Sequence, residues 1–148
     1  MNWVPLILTP QYRPYVWGGT RLKPGERIGE AWVVWRDDVI ASGPLAGLTL
    51  GAAATRFPAE LVGVGRGDDF PLLIKLLDCQ EWLSVQVHPD DALAVELAGA
   101  GTRGKEEAWH FLEVDPGAEI IAGFAAGFTD GPAEAEAAVL EQLARRQV

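Results

Sequence analysis

The residues best suited to chemistry lie in two short stretches, LSVQVHPDD (Leu83 to Asp91) and KEEAWHFLEV (Lys105 to Val114). His88, in the first, is one of only two histidines in the chain. Read as a strand, the first stretch alternates faces, so Ser84, Gln86 and His88 point one way and Leu83, Val85 and Val87 the other. A hydroxyl, an amide and an imidazole in a row make a poor core and a good site floor. Pro89 and Asp90 end the row, since proline cannot donate to a ladder and Asp favours turns. In the second stretch Lys105, Glu107 and Trp109 share one face, and Glu106, Ala108 and His110 the other. If Glu107 faces the same cavity as Gln86 and His88, a mixed O/N donor set forms. Such a set suits Zn2+ or another borderline divalent metal. On spacing alone, the same residues read equally well as a surface histidine beside a turn and a solvated glutamate. His110, on the opposite face, reads as a partly exposed or core histidine. Lys75, inside PLLIKLLD, is costly in an apolar strand unless paired or snorkelling. It is either an outward lysine on an edge strand or a cation aimed into the cavity of Ser84. Lys105 is a second candidate cation.

These residues need a folded scaffold, and the bulk numbers allow one. The 148 residues fit a single domain spanning 1–148. Hydrophobic residues make up 49% and charged residues 22%, a composition for a packed core rather than for disorder. The net charge of −9 argues against nucleic acid as a partner, because phosphate backbones select basic faces. A small anion answers instead to local charge in a cleft. Cys79 is the single cysteine, so no internal disulfide is possible, and a cytoplasmic location is the expectation. No stretch reads as a signal peptide or a membrane span, so no membrane partner is expected.

Along the chain, residues 3–9 (WVPLILT) read as a short strand. QYRPYVWGGTRLKPG reads as an aromatic loop packed on the body. Ile28 to Trp35 reads as a strand with Ile28, Glu30, Trp32 and Val34 on one face; Glu30 is the odd polar member. Val39 to Leu50 carries a strand, a glycine turn and a helix entry at Thr49, with short helix through Ala54. Pro58 opens a turn. Pro71 to Asp78 and the Leu83 stretch are strands, and DDALAVELAG is a short helix capped by Asp90 or Asp91. Lys105 to Val114 and Ala118 to Phe124 are further strands. An amphipathic helix follows, capped at Thr129 or Asp130 and trailing Arg145 and Arg146. Short strands separated by glycine and proline turns predict a mainly β, antiparallel sandwich or barrel.

FPLLIKLLDCQEWLSVQVHPDD followed by GKEEAWHFLEV closely resembles the type I phosphomannose isomerases, also called mannose-6-phosphate isomerases. WGGTRL and IGEAW lie upstream in the order that family shows, and the resemblance runs from Tyr15 to about Phe124. It implies a cupin-type antiparallel jelly-roll, here an incomplete barrel with a few short helices and a C-terminal helix. It implies one divalent metal, Zn2+, on Gln86, His88 and Glu107, with Glu106 excluded by its place in the motif. It implies phosphate contacts from Ser84 and Lys75 and a site lysine at Lys105, placed to polarise or relay. The implied reaction interconverts mannose 6-phosphate and fructose 6-phosphate, so the implied partner is a small sugar phosphate. A cupin module that holds a metal or sugar phosphate without turnover is the alternative, and another metal-dependent cupin enzyme is a second.

Three departures qualify the resemblance. Trp35 stands where the family usually has a small polar residue. Cys79 stands where alanine is common and reads as a small core residue. The family's second histidine ligand and a site arginine come from later strands, and no residue of this chain takes the histidine's place. The expectation is an incomplete site: three protein ligands, weak metal retention, little turnover, and open edges that invite self-association or a separate C-terminal piece.

Overall fold

The computed structural model describes residues 3–123 and Ala137. The helix expected from about Thr129 to Arg146 lies outside the described residues except for Ala137, which is helical. The chain divides into two compact units, Met1–Leu83 and Ser84–Val148. The described residues are mostly non-helical, and none of their helices is long and apolar enough to cross a membrane.

The upstream unit is organised on a small open sheet of three antiparallel strands in the order β1 (Gln11–Arg13), β2 (Glu30–Val34) and β3 (Ile74–Leu77). Pro14 follows β1 immediately, and a residue without an N–H cannot extend a ladder. The aromatic and β-branched run of β2 suits the central position. Registry pairs Gln11 with Trp32 and Trp32 with Lys75, and pairs Arg13 with Glu30 and Glu30 with Leu77. Period-two alternation therefore puts Gln11, Arg13, Glu30, Trp32, Lys75 and Leu77 on one face. This is the less exposed face, whereas Tyr12, Ile74 and Leu76 on the other are open.

A polar row can lie inward only if its charges are partnered. Glu30, just 7% exposed, accepts from Lys75 Nζ at 2.8 Å on Oε1 and from Trp32 Nε1 at 2.7 Å on Oε2. Lys75 is thus paired, the condition that makes a lysine in an apolar strand tolerable, and it is turned toward the sheet's polar face rather than outward. Tertiary pairing across two strands decided this, and the diagonal reach of a long side chain makes it possible.

The rest of the unit packs on Ile40, Leu45 and Ala53, with Leu6, Leu8, Leu48, Phe57 and Leu61 around them. Helix α1 (Leu50–Arg56) starts at Thr49, whose hydroxyl accepts from the Ala52 N–H, and buries Leu50, Ala53 and Ala54. Helix α2 (Pro58–Leu61) is one turn, entered through proline at its first position. The strand expected over 3–9 reduces to a single bridge between Leu8 and Ile40, and that over Val39 to bridges at Val39 and Ile40. Gly18 bridges Cys79, and a Cβ on Gly18 would run into the Gly29 backbone, which cannot yield. This close approach explains the WGG sequence. Cys79 itself is exposed, correcting its reading as a core residue; the bridge to Gly18 holds its backbone.

In the downstream unit, helix α3 (Asp91–Ala98) is capped as expected: the Asp90 carboxylate accepts from the Leu93 N–H at 2.8 Å. Gly99 ends it with φ near 95°. The strands expected over Leu83 to His88, Lys105 to Val114 and from Ala118 form no ladder among the described residues. A ladder needs a partner's N–H and C=O groups in register. Side-chain alternation needs no ladder, and i and i+2 side chains still meet at Ser84 and Gln86 and along Lys105, Glu107 and Trp109.

The Glu30 pair sets a stability test. Its side chains are 10% and 21% exposed for Glu30 and Lys75, against 44% and 56% for the Lys23–Glu26 pair. Glu30→Ala leaves an ammonium and an indole N–H without their acceptor and should cost about 2–4 kcal/mol. Glu26→Ala should cost no more than about 0.5 kcal/mol. Urea unfolding of both variants measures the contrast; equal costs would show that the inward pair contributes no more than a surface one.

Candidate metal and substrate site

The candidate site in the downstream unit is built by the turn around α3. The Asp91 carboxylate accepts from the Gly104 N–H at 2.8 Å, and the Lys105 N–H reaches the Pro89 carbonyl at 3.3 Å. Thr102 Oγ1 donates to carbonyls at the end of the helix. The chain leaving α3 is thereby drawn back alongside the residues that precede it. A Cβ on Gly104 would lie 2.6 Å from the Pro89 oxygen, so only glycine permits this approach.

The return brings Glu107 and Lys105 to His88. Glu107 Oε2 lies 3.1 Å from His88 Nε2 and 2.5 Å from Lys105 Nζ, and Lys105 Nζ lies 3.4 Å from His88 Nε2. Trp109 Nε1 donates to Glu107 Oε1 at 2.7 Å. Glu107 meets His88 and Glu106 does not, and Lys105, Glu107 and Trp109 share a side as the alternation requires. The Glu107 carboxyl is pushed down to about 2. The Lys105 hydrogen bond is the main cause; partial desolvation opposes it, while the Trp109 N–H and the Lys105 and His88 charges add to it. The carboxylate is therefore ionised throughout the physiological range.

The other expected residues fall as follows. Gln86 Nε2 donates to Ser84 Oγ at 2.9 Å, so this pair shares a side as read from the sequence, and both residues are exposed. The amide's N–H is committed to Ser84 and its oxygen is its acceptor end. Lys75 belongs to the upstream unit, where it pairs with Glu30. His110 is exposed. Sequence reasoning missed Trp109 as the carboxylate's second donor and Glu30 as the partner of Lys75. Both carried a signal: a tryptophan two residues after a glutamate in an extended stretch, and two unexplained charges on neighbouring apolar strands.

An imidazole nitrogen and an ionised carboxylate oxygen about 3 Å apart, already sharing the Lys105 ammonium, form a cation-accepting pair. Their chemistry fits a borderline divalent metal. Among the described residues no group of three or more His, Cys, Asp or Glu side chains gathers for one. Gln86, two residues before His88 in the chain, is the further donor that the sequence reading named; its hydrogen-bond contact is with Ser84.

Because its folded value lies below the ordinary 4.5, the Glu107 contribution to stability is present above about pH 4.5 and is lost as pH falls toward 2. Lys105→Ala removes the largest cause and should return the carboxyl most of the way to its ordinary value; Trp109→Phe should return it by less. Carboxyl-carbon NMR titration reads both shifts, and an unchanged midpoint in Lys105→Ala would remove the lysine from the site.

Comparison with known proteins places the chain in a family. Residues 6–110 match the family described as phosphomannose isomerase type I, catalytic domain. A probable mannose-6-phosphate isomerase of Bacillus subtilis is 41% identical over 80% of this chain and 41% of its own length. A mannose-6-phosphate isomerase of Streptococcus mutans is 40% identical over 80% of this chain and 40% of its own length. The crystal structure of the mannose 6-phosphate isomerase from Bacillus subtilis superposes with a TM-score of 0.59 at 37% identity, covering 68% of this chain and 35% of that one. The chain spans about two fifths of the length of the curated relatives it matches. With the match extending over residues 6–110 and taking in His88, Lys105 and Glu107, the chain belongs to the type I phosphomannose isomerase family.

Proposed function

We propose that this chain carries part of the active site of a metal-dependent aldose–ketose isomerase acting on mannose 6-phosphate and fructose 6-phosphate, on a cupin-type jelly-roll scaffold. The observation that carries the reading is the approach of Glu107 to His88 at 3.1 Å with Lys105 against both. The family match supports the substrate class.

His88, Glu107 and the Gln86 amide oxygen are the residues that would hold the divalent metal. Bound there, the metal would supply a Lewis acid that polarises the sugar oxygens near the carbons exchanging a proton. Isomerisation moves that proton between C1 and C2 through an enediol-like intermediate. Trp109 fixes Glu107 from the side away from His88, which keeps the carboxylate from rotating off the site. Lys105 presents an ammonium that can donate to a sugar oxygen as negative charge develops on it. The resemblance to the family implies phosphate contacts from Lys75 and from Ser84. Held at that remote end, the substrate spends binding energy on orientation at the reacting carbons. The second reading, a cupin module that binds without turnover, is favoured by the small donor set among the described residues.

A coupled assay converting fructose 6-phosphate to mannose 6-phosphate, with Zn2+ supplied, separates the readings. The 148 residues alone are expected to retain metal weakly on dialysis and to turn over slowly, with His88→Ala and Glu107→Gln reducing the residual rate by about a hundredfold or more. A rate untouched by His88→Ala would sink the metal-site assignment. Undetectable turnover with firm sugar phosphate binding would favour the binding module.

A further inference from the structure

We infer that the outer edge of β3 is a dimerisation surface, on which a second copy of this chain pairs antiparallel about a two-fold axis at Ile74. The inference does not rest on the proposed function.

The sheet has two edges, and the sequence treats them differently. β1 is three residues long and stops at Pro14, so that edge is short and blunted. β3 is the other terminal strand. Toward β2 it is satisfied: the Asp78 N–H donates to the Gly29 carbonyl at 3.0 Å, and Leu76 stands opposite Ala31 in the same phase. The backbone groups of an antiparallel strand alternate sides. Leu76 and Asp78 thus turn theirs toward β2, and Leu77, Lys75 and, by the same alternation, Leu73 turn theirs outward. Among the described residues no backbone hydrogen bond beyond the β2 ladder involves Leu72 to Leu77.

Native edges of this kind are commonly protected by a charge. The charge in β3 is Lys75, and Glu30 holds it on the polar face at 2.8 Å. The opposite face of the edge carries Leu72, Ile74 and Leu76, all exposed. Exposed Tyr12 lies on that face too, across Ala31 from Leu76. No charge interrupts the row.

The row is symmetric about Ile74, and this symmetry selects the partner. In an antiparallel pair centred there, Ile74 meets its own counterpart, and Leu72 of each copy meets Leu76 of the other. The same register sets Lys75 opposite Leu73, whose N–H and C=O groups face outward. Hydrogen bonds and apolar pairs therefore fall in phase. Pro71 comes opposite Leu77, where its missing N–H ends the ladder. A register centred on Lys75 would oppose the two lysines and leave Leu72 against Asp78. One centred on Leu76 would set Ile74 against Asp78. A strand that complements itself under a two-fold rotation makes a closed, isologous contact.

Sedimentation of the whole 148-residue chain should show the mass rising from one copy to two as concentration increases, and no further. Amide exchange at Leu73 and Lys75 should slow over the same range. Ile74→Lys places like charges at the axis and should weaken dimerisation by about tenfold or more. Val64→Lys, at another exposed site, should leave it unchanged. In a Cys79→Ser background, mild oxidation should link Ile74→Cys to its counterpart, because directly opposed residues between hydrogen-bonded pairs lie within disulfide reach. Leu76→Cys faces Leu72 of the other copy and should link to itself far less. The wild-type exchange data settle the question even where a variant fails to fold. A chain that stays monomeric at every concentration, association past two copies, a dimer unaffected by a folded Ile74→Lys, or equal linking through Ile74→Cys and Leu76→Cys each overturns the inference. Turnover in the isomerase assay, or its absence, bears on the proposed function alone.

Discussion

Among the described residues, a carboxylate gripped by a lysine on one oxygen and by an indole two residues ahead on the other occurs in both units. In the sequence both instances read Glu-Ala-Trp. Glu30 is held by Lys75 and Trp32, and Glu107 by Lys105 and Trp109. Extended backbone puts residues i and i+2 on one side, so the indole N–H falls beside the carboxylate without a turn or a helix. Alanine between them keeps the opposite side small. The grip fixes the orientation of the carboxylate through a donor on each oxygen. For Glu107 the carboxyl is held at about 2, chiefly by the Lys105 hydrogen bond.

The two instances serve different ends. Around Glu30 the grip lets a polar row occupy the less exposed face of a three-stranded sheet. Around Glu107 the grip leaves Oε2 turned to His88. There the short loop after α3 does the positioning, through Asp91, Gly104 and the Pro89 carbonyl. A side chain on Gly104 would push Lys105 and Glu107 away from the histidine they meet.

The short blocks that carry the family resemblance each do local structural work in this chain. WGG follows from the approach of the Gly18 and Gly29 backbones. IGEAW supplies the upstream grip, and GKEEAW supplies the glycine contact together with the downstream one. Each block can be traced to a contact, a hydrogen bond or a charge pair rather than to composition.

By itself the sequence determined the short-range features. Asp90 as the cap of α3, Thr49 as the start of α1, and the shared side of Ser84 and Gln86 follow from local geometry that a few neighbouring residues set. The family resemblance was also legible, because the motifs are contiguous. Ladder formation was not. The stretches after Leu83 have strand-like alternation but form no ladder among the described residues, since pairing depends on a partner's backbone and not on the stretch itself. Nor was the fate of Lys75 legible. Whether it faced solvent or turned inward hinged on Glu30, 45 residues earlier in the chain. Only the tertiary structure could bring those two charges within 2.8 Å, and once it did, the low cost of a paired charge made the inward orientation the stable one.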